Sequence, residues 1–546
     1  MKSLALLSIL SLFVFGCKSN SSEVAKTTSK EQPFVWEAAN VYFMLTDRFH
    51  NGNKENDVVY DRTNEPAKLR GFMGGDMAGI TQKIKEGYFD DLGINAIWFS
   101  PVLEQIHDST DEGTGNTYAF HGYWTKDWTN FDANFGTATD FKELVDTAHE
   151  HGIRILMDVV MNHTGPVTEK DPVWDNNWVR TEPSCSYQNY ATAVDCTLVE
   201  NLPDVLTNRE EASELPSPLV AKWKAEGRYE QETKELDEFF QKTGLARSPK
   251  NYIIKWLTDY VREYGVDGYR VDTVKHVEEA AWNALNKQAK IAFAEWKTAN
   301  PEAVLDANEF FMLGELYGYG IESKRFYDFG DKKVDYYANG FDNLINFQFK
   351  YDAQKDYESI FSKYDSILQN ELKGKSVMNY ISSHDDGEPF DQDRTKTFEA
   401  ATKLLLTPGI SQIYYGDETK RSLRIEGTNG DATLRSFMNW SAINTLETKE
   451  LLTHWQKLGT FRKAHPAIGA GAHKMLSNSP YVFSRTYKKD NVVVGLDLPK
   501  GKKEITVSNL FENGSTVTDH YSGKTATVEN GKVTIDSEFS IVLLHL

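Results

Sequence analysis

Residues 153–163 read IRILMDVVMNH, and residues 268–276 read GYRVDTVKH. Each is a short, β-rich apolar run that closes on polar side chains. The first ends in Asp158, Asn162 and His163; the second holds Arg270 and Asp272, with Lys275 and His276 just beyond. Six more runs share the pattern: Val41–Thr46, Ala96–Ser100, Phe311–Leu316, Phe341–Phe347, Val377–Ser382 and Ile410–Tyr415. Helical patterns such as Asp140–His151 and Tyr252–Tyr264 lie between them. Eight strands alternating with helices predict an α/β fold, a (β/α)8 barrel whose chemistry sits at the C-terminal strand ends.

One interval breaks the rhythm. Ile153 to Gly268 spans 115 residues, whereas the next four strand starts are 30 to 43 apart. An inserted domain is therefore expected after the third strand, over residues 164–248, and it holds Cys185 and Cys196. Past Pro466 the helical periodicity stops. Tyr481–Tyr487, Asn491–Leu498, Glu504–Leu510 and Phe539–Leu544 are strand-like, with turns at Pro499–Lys502 and Glu529–Lys532. They predict a C-terminal antiparallel β domain of sandwich type over 467–546, following a barrel over 35–466.

The 546 residues suit one large barrel with such additions. Apolar residues at 40% against 26% charged allow a sizeable core. With 60 Lys and Arg against 80 Asp and Glu, the surface repels phosphate backbones and no nucleic-acid partner is expected. The 12 Trp, 26 Tyr and 30 Phe give faces that suit sugar rings, although most must be core.

The first 17 residues read as a signal peptide, with Lys2 as its charged start and Leu4–Phe15 as its apolar run. A transmembrane anchor is the competing reading, but the run falls short of the ~20 residues needed to span a bilayer. Val14–Cys17 resembles a bacterial lipobox, which implies lipidation of Cys17; Phe15 is bulkier than usual there. Residues 18–34 read as a flexible tether. The expected product is an exported lipoprotein of the outer membrane, on its periplasmic face or at the cell surface, touching membrane only through its lipid. In that oxidising compartment Cys185 and Cys196 are expected to pair.

Three acids stand at three strand ends: Asp272, Glu315 and Asp385. Splitting a glycosidic bond needs one carboxyl to protonate the leaving oxygen and another to meet the developing oxocarbenium carbon. Asp272 shares a strand face with Arg270, which favours its ionised form and suits a nucleophile. Glu315 ends an apolar strand, where desolvation raises a carboxyl and suits a general acid. Any one of these acids alone reads better as a helix cap; the three together do not. No nucleophile elbow and no phosphate-cradling glycine loop is found.

These segments resemble the α-amylase family of glycoside hydrolases. The resemblance rests on Gly71–Ile80, Asp158–His163, Leu202–Val205, Gly268–His276, Gly314–Glu315, Ser383–Asp385 and Tyr414–Glu418, in order along the chain. Ile254–His276 and Gly340–Phe347 are most similar to bacterial periplasmic α-amylases. Thr46–Phe49 and His121–Trp124 also resemble cyclodextrin glucanotransferases. The resemblance implies Asp272 as nucleophile, Glu315 as general acid/base and Asp385 as transition-state stabiliser. It implies substrate contacts from His121, Tyr123, Trp124, His163, Arg270, Lys275, His276 and His384. Ser383 stands where the family usually has Asn before the His-Asp pair.

The resemblance also implies calcium. One site would use Asn162, Asp204 and the His276 carbonyl, hard oxygen donors of the kind calcium takes. A second would use Asn51, Asn53, Asn56 and Asp57 with Asp76 and the Gly74 carbonyl; such an Asn/Gly run is also an ordinary turn. The expected function is retaining endo-hydrolysis of α-1,4 bonds in starch, glycogen and maltodextrins by a monomer. A cyclomaltodextrin-degrading or glucanotransferase enzyme is the same-fold alternative, and a non-catalytic glycan-binding lipoprotein the remote one. In glucanotransferases an aromatic residue stands four positions before the aspartate matching Asp204. Here that position is Glu200, which favours hydrolysis over transfer.

Overall fold

The computed structural model describes residues 33–111 and 113–546. The predicted signal peptide, Cys17 and nearly all of the predicted tether lie outside the described residues. Phe34, assigned to the tether, is instead docked: its ring meets Trp36 edge-on at 5.0 Å and the Arg154 guanidinium at 3.8 Å.

Eight parallel strands close a barrel: β1 (Asn40–Met44), β2 (Ala96–Phe99), β3 (Arg154–Val159), β4 (Gly268–Val271), β5 (Phe311–Gly314), β6 (Asn343–Asn346), β7 (Ser376–Tyr380) and β8 (Ile410–Tyr414). Each falls on one of the eight predicted runs. Every residue of β1, β3 and β7 is buried, which explains continuous apolar runs in place of alternation. The register aligns the site: Arg270 of β4 pairs with Asp158 of β3 and with Leu313 of β5, two residues before Glu315.

The helices have readable ends. Ala138–Glu150 opens on a capping box in which Thr137 and Asp140 each bond the other's backbone N–H. Pro249–Tyr264 starts on Pro249 and stops at Gly265, whose φ of +76° only glycine adopts without strain. Between β3 and that helix lie the short strand pair Val179–Arg180 and Asp204–Val205, the helices Ser217–Ala225 and Tyr229–Thr243, and the Cys185–Cys196 disulfide. Trp178 and Trp223 of this segment are fully buried, each ring within about 6 Å of Trp256. A tryptophan-rich core thus fastens the insertion to the barrel.

The C-terminal part forms a six-stranded antiparallel sheet and a two-stranded partner. The strands are β9 (Ala472–Asn478), β10 (Tyr481–Tyr487), β11 (Asp490–Leu496), β12 (Gly501–Thr506), β13 (Thr516–Asp519), β14 (Lys524–Thr527), β15 (Lys532–Ser537) and β16 (Val542–His545). The order is β9-β10-β11-β16-β13-β14 in the larger sheet, with β12 pairing β15. Val493, Ile505, Val517, Val533 and Leu544 fill the space between them. Four of these strands match the predicted ones. Of the others, β9 and β14 bury no residue, β13 is four residues long, and β15 alternates exposed and buried residues; none carries an apolar run. Gly501 and Lys532, expected in turns, already belong to strands.

Candidate active site

A cleft of about 860 Å³ opens at the C-terminal end of the barrel. Asp272, Glu315 and Asp385 line it with His121, Tyr123, Trp124, His163 and His384. Arg270 lies beneath, 1% exposed, and organises the floor. Its Nη1 donates to Asp158 Oδ1 at 2.9 Å and Asp272 Oδ1 at 2.8 Å, while Nη2 meets Glu315 Oε2 at 3.2 Å. The Thr273 backbone N–H also donates to Glu315 Oε2, at 2.9 Å. One guanidinium therefore fixes acids from three neighbouring strand ends.

Burial pushes Asp272 up to about 6; Arg270 opposes the rise and Asp158 adds to it. Burial pushes Glu315 further, to about 8, because it faces both Asp272 and Asp385 while Arg270 pulls the other way. The result is two carboxyls of different proton affinity in one water-poor site. Burial holds the His163 imidazole down at about 4. His121 and His384 are likewise pushed well down by burial, reinforced by the Arg435 charge. The three rings are therefore neutral near pH 7 and can donate or accept at sugar hydroxyls.

The model of the family described as "Alpha amylase, catalytic domain" matches residues 43–440. The chain belongs to the α-amylase family. It is 37% identical over 526 residues to the periplasmic α-amylase of Escherichia coli (strain K12), covering 86% of this chain and 73% of that one. It is 27% identical to the cyclomaltodextrin glucanotransferase of Geobacillus stearothermophilus, over 88% of this chain and 63% of that one. A solved α-amylase structure from Anoxybacillus has TM-score 0.64 and 26% identity, over 94% of this chain and 99% of that one. The chain is accordingly a glycoside hydrolase of the α-amylase type.

The other residues singled out in the sequence divide by position. Tyr123 stacks on His384 at 5.4 Å, anchored by its hydroxyl donating to Asp158 Oδ2 at 2.8 Å. Trp124 is 5% exposed and packs with Ile106, Ala119 and Leu202, so it offers the cleft an edge at most. Lys275 is held between the Tyr187 and Tyr317 rings, at 5.1 and 4.9 Å, beside the Glu315 end of the cleft. The His276 ring is spent on the Ala193 carbonyl at 2.8 Å, tying down the disulfide loop. The Ser383 hydroxyl donates to Asp385 Oδ1 at 3.3 Å.

Three features escaped sequence reasoning. Asp158 is a hub: besides Arg270 and Tyr123 it accepts the Trp98 indole N–H at 2.9 Å. Asp431 is gripped by Arg70, at 3.1 Å, and by Arg435, which also bonds the His384 carbonyl; all three line the cleft. Tyr317 is more than half exposed and flanks the Lys275 ammonium on the side opposite Tyr187. The i,i+4 spacing of Asp431 and Arg435 was the only signal available for the second, and in a loop it means little.

Among the described residues no group of three His, Cys, Asp or Glu side chains is placed to hold a metal. The candidate calcium ligands are of another kind, mostly amide and carbonyl oxygens. One terminal atom of the Asn162 amide lies 3.2 Å from Asp204 Oδ1 and 3.0 Å from the His276 carbonyl; with the amide nitrogen there it donates to both. Asp204 is pushed up to about 9 by burial, with Arg180 opposing. In the Asn51–Asp57 loop the Asn51 and Asn56 side-chain oxygens are buried without a hydrogen bond. Gly74 lies so close that an added Cβ would stand 2.6 Å from Asp57 Oδ1. Asp76 has both oxygens on backbone N–H groups of Gly52, Asn53 and Gly79, and caps the helix Met77–Lys85. Asn53 points its oxygen at the Glu55 N–H.

Proposed function

We propose that this chain cleaves internal α-1,4 bonds of starch-like glucans with retention at the anomeric carbon. Asp272 attacks the anomeric carbon, and Glu315 gives its proton to the departing oxygen. Glu315 then takes a proton from the water that releases the glycosyl enzyme. Asp385, with His163 and His384, holds the hydroxyls of the sugar at the point of cleavage, and Tyr123 stacks beneath it. The observation that carries this reading is the single Arg270 guanidinium shared by Asp272 and Glu315, which seats one ionised and one protonated carboxyl side by side. For direct attack their carboxyls should stand about 5–5.5 Å apart. Asp272→Asn and Glu315→Gln should each remove nearly all reducing-sugar release from soluble starch. Initial products of the β anomer, or substantial activity in Asp272→Asn, would defeat the assignment. Linear rather than cyclic products would separate hydrolysis from transfer, and Glu200 in the cleft wall gives no apolar platform for an acceptor.

Asp204, the His276 carbonyl and the Asn162 amide, turned to present its oxygen, bring together hard oxygen donors of the kind that fit calcium. A calcium ion there would add positive charge that ties the insertion to the barrel. The orphaned Asn51 and Asn56 oxygens fit a second ion, with Asp57 and the Gly74 carbonyl. Asp76 and Asn53 suit it less, their oxygens being already engaged. We divide the chain into a leader over 1–17, a tether over 18–34, a catalytic barrel over 35–466 interrupted by 164–248, and a β domain over 467–546. The name of the E. coli relative supports export. Among the described residues no helix is long and apolar enough to cross a membrane, and lipidation at Cys17 would supply the attachment.

A further inference from the structure

Asp385 enters the cleft with little of its own to hold it. Its side chain is 33% exposed, and its carboxylate takes a 3.3 Å bond from the Ser383 hydroxyl. His384 Nδ1 stands 3.7 Å away, and with its ring held neutral by burial it supplies no ion pair. A carboxylate that must meet particular sugar hydroxyls needs a fixed place, so the constraint has to come from its neighbours in the chain.

The next residue, Asp386, is anchored far more strongly. Its side chain is 10% exposed and is not among those lining the cleft. Oδ1 accepts from the Lys350 ammonium, itself 7% exposed, and from the Glu388 backbone N–H at 3.1 Å. Oδ2 accepts from the Tyr380 hydroxyl at 2.5 Å. Lys350 belongs to the short helix Phe349–Asp352 that follows β6, and Tyr380 is the last residue of the neighbouring strand β7. Asp386 is thus tied to two adjacent strand ends at once. On the other side, Arg435 Nε donates to the His384 carbonyl at 2.9 Å. Asp385 is therefore suspended between two pinned neighbours.

We propose that Lys350, Tyr380 and Asp386 are positioning residues for Asp385, resting on the reading of Asp385 as the group that grips the sugar at the point of cleavage. None of the three meets substrate itself. A buried ammonium and carboxylate lock into one geometry, because neither can leave the other without stranding an uncompensated buried charge. That rigidity passes along one backbone link to the Asp385 carboxyl. The grip on the sugar is then delivered where it strengthens in the transition state, so loosening the pair lowers kcat more than it raises KM.

The test measures kcat and KM on a nitrophenyl maltooligosaccharide, whose activated leaving group keeps weak variants measurable. Lys350→Met, Lys350→Arg and Tyr380→Phe are each made alone and in an Asp385→Ala background. Lys350→Met should lower kcat about thirtyfold with KM changed less than about threefold. Tyr380→Phe, which removes one hydroxyl and no charge, should lower kcat about threefold, and it carries the comparison if Lys350→Met does not fold. Lys350→Arg returns the cation and should recover most of the loss. In the Asp385→Ala enzyme the same changes should cost nothing further, because the group they position is gone. Equal losses in both backgrounds, a loss confined to KM, or an unchanged kcat in the folded variants would each overturn the proposal. Asp385→Ala alone is scored separately. Full activity there would sink the reading of Asp385 and the positioning with it, whereas a crippled Asp385→Ala beside an unaltered Lys350→Met would sink the positioning alone.

Discussion

Replacing Asp158 with Asn tests the electrostatics of the site without touching a residue that meets substrate in the proposed mechanism. Asp158 and Asp272 both accept from Arg270 Nη1, at 2.9 and 2.8 Å, so their oxygens lie within about 6 Å of each other. At an effective dielectric of about 20, two charges that far apart repel by about 3 kcal/mol, equivalent to about two pH units in a titration. The asparagine keeps the shape and removes the charge. Asp272 then loses one of the causes that raise it. The acidic limb of kcat/KM, which reports the free enzyme, should move down by about one to two pH units. The basic limb should stay near its place, because Glu315 owes its rise to burial, Asp272 and Asp385. The substitution also weakens the hold on Arg270, Tyr123 and Trp98. A loss of about 3–5 kcal/mol of stability and on the order of a hundredfold in kcat should accompany it. The assay is maltoheptaose hydrolysis from pH 4 to 9, with a melting curve at each pH. An acidic limb that stays put or moves up, in a folded protein, would refute this account.

Three further outcomes are expected. Chelation should lower the melting temperature, and Asp204→Ala should mimic it; an unchanged melting point in a protein free of bound metal would remove calcium from the structure. At the seam with the β domain, burial holds His454, His473 and His520 at about 4, well below their unfolded value. The unfolded chain therefore binds more protons between about pH 6.5 and 4, so stability is full above that window and falls through it as pH drops. For the buried His454 the loss approaches about 3 kcal/mol by pH 4, and His454→Gln should flatten the fall in a pH series of calorimetric scans. Finally, the mature chain should carry lipid on Cys17, and Cys17→Ser should release an active soluble enzyme; an unmodified Cys17 in the intact mass would end that idea.

The barrel was legible because its strands are buried on both faces, so β3 and β7 lack the alternation of a half-exposed strand and are largely apolar, with Asp158 and Asn379 inside them. The insertion was legible from spacing alone. The β domain was half legible: β10 and β11 bury most of their residues, but β14 exposes three of four and β9 buries none. The acids stood at strand ends where chemistry was expected. The hub at Asp158 did not show, because its partners Trp98, Tyr123 and Arg270 lie 35 to 112 residues away and meet only when the sheet closes.

What the fold adds to the sequence is an account of why the site holds a proton. Asp158, Asp272 and Glu315 surround one guanidinium, and each is buried. Three buried anions cannot be balanced by one cation, so the cheapest arrangement keeps one of them neutral. Burial pushes Asp158 up as well, but Arg270, Trp98 and Tyr123 all oppose that rise, which makes it a poorer candidate than Glu315. Asp272 has Arg270 at 2.8 Å. Glu315 is farther from that charge, at 3.2 Å, and faces Asp385 as well. The proton therefore falls to Glu315, the carboxyl that the proposed mechanism needs as its acid. The same arithmetic favours the ionised form at Asp272 over Glu315. In the proposed mechanism, acid and nucleophile are thus distinguished by their share of one arginine, before any substrate arrives.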